Sequence, residues 1–387
     1  MTQSILPSPT APPTSPSTDP IYTLRGHTAD ISALSFLSCD TLLASGDVEG
    51  NVIFWAVATR RPVGKWKLHE KGILAVEGIG GGMVLSHGRD DQLHFWTISS
   101  LLSQPDSQST PPPAPTPTLT LTVNSLNFCS VSFLAPRPSR SLITSPSLAT
   151  STLLALPSLT SNDAIDVYSL GERRYAVSGL ASPKTGMCMC LKLVRWDDGE
   201  VGLVAGYESG EVVVWDLAAG RVVERRRVDD EPVLSLDTAP ADPQTLLTTT
   251  ASTLLTKLNL DPTTHTITST RLVQTPSKGN ACVAIRRDGR VAVVGGWDNM
   301  IRVYGVKSMK QLAVLRAHRG GVQCVAFPRS SGGGEDADAD AGADAAANTI
   351  KDEGVSVGLG IGGLPPAPAN MFAAGAKDGT VTLWQVY

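Results

Sequence analysis

Apolar and polar residues along this chain follow a period of two, in short runs that come in pairs. The clearest pair closes the chain. The apolar run Met371–Ala376 leads into Lys377-Asp378-Gly379, and Thr380-Val381-Thr382-Leu383-Trp384 then alternates strictly. Alternation of this kind puts successive side chains on opposite faces of a strand. Asp-Gly between two such runs predicts a tight hairpin, since the turn needs positive φ, which Gly adopts freely. The same shape recurs at 44–55, 85–96 and 204–215, each ending in Trp, and at 295–304 with Tyr in the Trp place. Degraded copies at 162–168 and 252–258 bring the total to seven. In every copy a polar residue stands six positions before the bulky one: Glu49, Asp90, Asn162, Ser209, Ser252, Asp298 and Asp378.

The bulky residues Trp55, Trp96, Tyr168, Trp215, Leu258, Tyr304 and Trp384 are 41, 72, 47, 43, 46 and 80 positions apart, by subtraction of their numbers. A period of about 40–45 residues is that of a four-stranded propeller blade, and both long gaps contain an insert. An isolated hairpin is marginal in water. The repeats therefore predict an all-β chain folded as a seven-bladed WD-repeat β-propeller. Gly26-His27, with partial matches at His69 and Ala317-His318, supplies the other marker of that repeat. His27, Asp90, Asp298, His318 and Asp378, with the strand residues Trp55, Trp96, Trp215 and Trp384, are expected to be hydrogen-bonded structural groups rather than catalytic ones. The chain ends on the third strand of the seventh blade. Ile21–Arg25, just before Gly26-His27, is expected to supply the missing outer strand and so close the ring.

The 387 residues would ordinarily suggest two or three domains, but a repeat architecture overrides that expectation. Residues 1–19, rich in Pro, Ser and Thr, are expected to be a disordered tail before a single propeller domain spanning 20–387. Inserts are expected near 101–118, 135–150 and 330–368. The last of them carries the acidic run Glu335-Asp-Ala-Asp-Ala-Asp340. Blade three is expected to begin at 126–133. Blade five has lost its Asp and Trp, which casts doubt on its stability.

Charged residues make up 18 %, below the usual quarter, and the net charge of −4 gives no basic field for nucleic acid. No direct nucleic-acid contact, membrane association or small-molecule substrate is expected. Six Cys lack any Cys-x-x-Cys pair; Cys188-Met189-Cys190 alternates, so both thiols should point to one face. No sequon and no apolar run approaching 18 residues occurs. Free buried thiols in the cytosol or nucleus fit this composition.

No nucleophile elbow, Walker sequence or His-Glu-x-x-His is present, so no catalytic, cofactor-binding or metal residue is assigned. His87 and His94 flank one hairpin without a third ligand at suitable spacing. Gly358-Leu-Gly-Ile-Gly-Gly363 formally matches a dinucleotide motif, but Pro365-Pro366 follows instead of a helix. A propeller without catalytic groups is expected to be a binding platform. The residue before each turn should face outward: Val48, Arg89, Ser161, Glu208, Ala251, Trp297 and Lys377. Arg89, Glu208, Trp297 and Lys377 are the candidate partner-binding residues, with Trp297 set beside Arg89 and Lys377 as an interface anchor or lying flat on its own blade. Arg225-Arg226-Arg227 reads as a solvated outer edge or as a contact for an acidic partner.

Seven stretches, of which those outside the turns are the more specific, share a further pattern: 20–27, Ser86-His87-Gly88-Arg89-Asp90, Val123-Asn124-Ser125-Leu126-Asn127-Phe128-Cys129, Gly206-Tyr207-Glu208-Ser209-Gly210, Gly295-Gly296-Trp297-Asp298, 307–315 and the closing Lys377-Asp378-Gly379 with Leu383-Trp384-Gln385-Val386-Tyr387. Together they resemble the ASTRA-associated protein 1 family of fungal WD-repeat proteins. A guanine-nucleotide-binding-protein-β-like protein of animals is similar. The resemblance implies a non-enzymatic subunit of the ASTRA assembly, linked to chromatin remodelling and to maturation of phosphatidylinositol-3-kinase-like kinases. It also implies Tel/Tti chaperone subunits and RuvB-like ATPases as partners, and location in the nucleus or also the cytoplasm. The alternatives are a substrate adaptor or trafficking scaffold of another pathway, for which only these stretches speak against, and a propeller enzyme with convergent acids in its channel.

Overall fold

A computed structural model describes residues 19–37, 39–80, 82–98, 115–126, 128–135, 152–329 and 365–386. It contains seven four-stranded antiparallel sheets and, among the described residues, no helix. Blades one to seven span 31–67, 73–122, 132–180, 188–227, 233–274, 280–316 and 322–385. The seventh has only three strands of its own. Tyr22–Arg25 completes it by pairing antiparallel with Thr380–Gln385, Tyr22 opposite Leu383 and Arg25 opposite Thr380. This is the closure the sequence predicts, and it removes the exposed edge that the last strand would otherwise present.

The core is divided into seven apolar clusters, one at each blade–blade interface. Strand periodicity explains the division. In Leu42–Asp47, Leu43 packs toward blade seven while Leu42 and Ala44 pack toward blade two. A second strand is thus buried on both faces, and Leu42–Asp47, Val201–Tyr207, Val291–Gly296 and Met371–Ala376 are buried at every position. Outer strands such as Arg61–Lys67 and Arg221–Arg227 are mostly exposed or half-buried, because only one edge of them is sheltered. Glycine sets the spacing between blades. A Cβ at Gly46, Gly206, Gly295 or Gly375 would lie within 2.6 Å of Ile73, Val233, Val322 or Ile31 on the next blade.

Four expectations are corrected. Residues 126–133 do not begin blade three as a strand: only Ser132–Leu134 pairs, while Leu126 and Phe128 are 76 % and 61 % exposed. The two thiols of Cys188 and Cys190 face different interfaces, blades three–four and four–five. A bulge between them breaks the alternation. The outer strand of blade two starts at Pro117, inside the expected 101–118 insert. Inside the expected 330–368 insert, Ala367 is buried in the interface of blades seven and one and its N–H donates to Asp40 O at 2.9 Å. The tail 1–18, the stretches 101–114, 136–150 and 330–364, and the glycine motif at 358–363 lie outside the described residues.

Candidate interaction face

Each blade presents one turn between its second and third strands and one entry loop before its inner strand, and these lie on the same rim. The link is regular. The N–H of the residue before the turn donates to an entry-loop carbonyl of its own blade in six cases: Val48 to Asp30, Arg89 to Gly72, Glu208 to Met187, Ala251 to Pro232, Trp297 to Gly279 and Lys377 to Gly321. These distances run from 2.8 to 3.0 Å. The described strand ends flanking 99–114, 136–151 and 330–364 all lie on the opposite rim, since those stretches join first to second or third to fourth strands.

Behind this upper rim, every blade carries a polar lock. In blade one the Nδ1–H of His27 donates to Asp47 at 2.7 Å. Nε2 accepts from the Ser45 hydroxyl at 2.8 Å, and the Trp55 indole N–H donates to the same hydroxyl at 2.8 Å. Blade two repeats the chain with His69, Asp90, Ser86 and Trp96, and blade seven with His318, Asp378, Thr382 and Trp384. In blade one the carboxylate belongs to Asp47, two residues before the expected Glu49. Burial lowers the pKa of His69 and His318 below the usual histidine value, against the pull of their aspartates. Burial alone would raise Asp47, Asp90 and Asp378, but their hydrogen bonds outweigh it and hold all three below the usual carboxylate range.

The other blades reach the same end differently. Asn124 donates to Ser158 O and to Asn162 in blade three. Arg225 forks onto Glu211 in blade four, which also accepts from Ser209. In blade five the carboxylate has moved to the entry loop, where Asp229 accepts from Thr250 at 2.5 Å and from Ser252. Blade five therefore keeps a lock despite its missing Asp, and its four strands are all present. In blade six Asp298 pairs with Arg302, which has Tyr304 where a Trp would stand.

Arg225, Arg226 and Arg227 each have a carboxylate partner in their own chain: Glu211, Glu224 and Asp230. His94 donates to or accepts from Thr120 and stacks on His69 at 4.8 Å. Among the described residues no group of three His, Cys, Asp or Glu could hold a metal ion. Carboxylates on or near the inner strands are committed too. Asp237 pairs with Lys192 at 2.7 Å and accepts the Ile285 N–H, and Glu77 pairs with Arg329.

The exposed candidate side chains lie on the rim surface. Trp297 is 48 % exposed. One face of its indole covers Gly279, where a Cβ would sit 2.0 Å from the ring, while the rest is open. Lys377 is its neighbour on blade seven. Arg89 is not beside it, since blades seven and one intervene, and Glu208 stands on blade four. Arg89 instead lies over the Phe128 ring, 4.4 Å from its centroid. Leu126 and Leu159, both exposed, line an open groove of about 680 Å³ next to it. Sequence reading missed this patch because Leu126 and Phe128 look like strand residues.

Fold and locks together define a WD-repeat-type seven-bladed β-propeller whose lock side chains are hydrogen-bonded within its blades. The model of the family described as ASTRA-associated protein 1 matches residues 20–351. An ASTRA-associated protein 1 of Verticillium alfalfae is 33 % identical over 94 % of this chain and 92 % of its own length. That of Penicillium rubens is 32 % identical over 96 % and 98 %. A mouse protein, guanine nucleotide-binding protein subunit beta-like protein 1, is 27 % identical over 96 % and 97 %. The chain belongs to the ASTRA-associated protein 1 family.

Proposed function

We propose that this chain is a non-enzymatic scaffold subunit of the ASTRA complex, acting in the nucleus. In this reading it serves chromatin remodelling and the maturation of phosphatidylinositol-3-kinase-like kinases, beside Tel/Tti chaperone subunits and RuvB-like ATPases. Family membership supports association with ASTRA. The observation that carries the scaffold role is the division of labour on the upper rim. The His, Asp and Arg side chains that could do chemistry are bonded inward, whereas Trp297, Arg89, Phe128 and Leu126 project outward as aromatic, cationic and apolar contacts. Exposed groups of this composition are those enriched at protein interfaces.

The test is purification of the tagged protein from its own cells at moderate salt, with mass spectrometry of stoichiometric partners. Recovery of Tel/Tti subunits or RuvB-like ATPases is expected. Recovery of a ubiquitin-ligase core, a coat complex or no partner contradicts the assignment.

A further inference from the structure

Resting on the scaffold reading, we propose that the upper rim of blades six and seven is a docking site for an acidic segment of a partner protein, with Trp297 as its aromatic anchor. Four exposed residues lie along this part of the rim: Lys278, Trp297, Arg319 and Lys377. Backbone contacts make them contiguous. Trp297 covers Gly279, immediately after Lys278. The entry loop of blade seven presses on the Trp297 backbone through Gly321, where a Cβ would lie 3.2 Å away, and on Lys377 through Gly320, at 2.9 Å. Asn299, in the Trp297 turn, donates to the Arg319 carbonyl at 3.4 Å.

The charge there is uncompensated for a structural reason. The two carboxylates in these turns point into their blades: Asp298 is engaged by Arg302 and Asp378 by His318, Thr380 and the Arg319 N–H. Arg302 offsets the charge of Asp298, and the Asp378 carboxylate, only 15 % exposed, is held inward. Lys278, Arg319 and Lys377 have no carboxylate within ion-pair distance among the described residues. By contrast, the lock cation Arg302 and the outer-strand Arg225–Arg227 are all paired. On a chain of net charge −4, three unpaired cations around a half-exposed Trp form a local positive field with an apolar centre. The complement is a short acidic stretch that carries an apolar or aromatic residue to lie on the indole. A phosphate backbone would need a broader basic surface than these four residues offer, and the net charge opposes it.

The experiment uses the full chain and a fluorescein-labelled peptide of alternating aspartate and phenylalanine, followed by anisotropy. The comparison variants are Trp297→Ala and the triple variant Lys278→Glu, Arg319→Glu, Lys377→Glu. Unchanged melting temperatures confirm that the exposed substitutions leave the fold intact. The wild type is expected to bind, the triple variant at least about tenfold more weakly and Trp297→Ala about thirtyfold. Raising the salt should weaken the wild type. Equal binding by the triple variant, no binding by the wild type, or tighter binding of an oligouridylate of the same length overturns the proposal. In tagged purifications, partners that stay with the triple variant also overturn it. A wild type that recovers no partner removes the scaffold reading instead, and leaves the peptide titration to decide this site.

Discussion

His87 sits in the second strand of blade two, fully buried, with neither ring nitrogen hydrogen-bonded. Pairing places it opposite Ala75, as Gly46 is opposite Ala33, so it fills a position that is glycine in blades one, four, six and seven. Burial, with a smaller push from His69, drives its pKa down to about 3. In the unfolded chain it titrates near 6.5, so above that pH both states are neutral and nothing is lost. Below 6.5 the unfolded state takes up the proton first, and stability falls by about 1.4 kcal/mol per pH unit until the folded group titrates. His69, His94 and His318 are shifted the same way by burial and add to this slope. The aspartates act later, their contribution being lost only as pH falls through folded values below 3.8. His87→Leu removes the unpaired imidazole and is expected to raise stability at neutral pH by about 1–3 kcal/mol. It should also flatten the decline between pH 6.5 and 5. Urea titrations at both pH values check it, and a less stable variant with an unchanged slope would contradict the account.

At the scale of elements, ring closure depends on one four-residue strand. Tyr22–Arg25 covers the edge of Thr380–Gln385 and seats Leu24 in the interface of blades seven and one. Deleting residues 20–27 also removes His27, the lock of blade one. The deletion is expected to unfold the chain or cause aggregation, as read by light scattering and loss of a cooperative melt. A soluble deletion with the wild-type melting temperature would show that the ring holds without it. The hairpins were legible because their second and third strands are buried on both faces and their turns place a residue at positive φ, as at Gly50, Asp91, Gly210, Asn299 and Gly379. The lock of blade five was not, since Asp229 stands 23 positions before Ser252, outside the hairpin. The bulge at Cys188–Cys190 and the short inner strand of blade three were equally hidden. Neither a bulge nor an exposed Leu126-Phe128 patch differs in local pattern from an ordinary strand.

For the whole molecule, the central claim is that one rim binds partners and the polar groups behind it only hold the blades. Positions before the turns were legible as rim residues, because the hairpin period fixes where they stand. Lys278 and Arg319 were not singled out, for they lie in entry loops whose place over the turns follows only from the closed ring. The most direct test compares partner occupancy in tagged purifications of two sets of variants. Trp297→Ala and Arg89→Ala alter the upper rim; Asp197→Ala and Lys307→Ala alter exposed residues on the opposite rim. The account predicts that the first set loses its stoichiometric partners while remaining folded, and that the second retains them. Loss of partners from the opposite-rim set, with the upper-rim set unaffected, would contradict it.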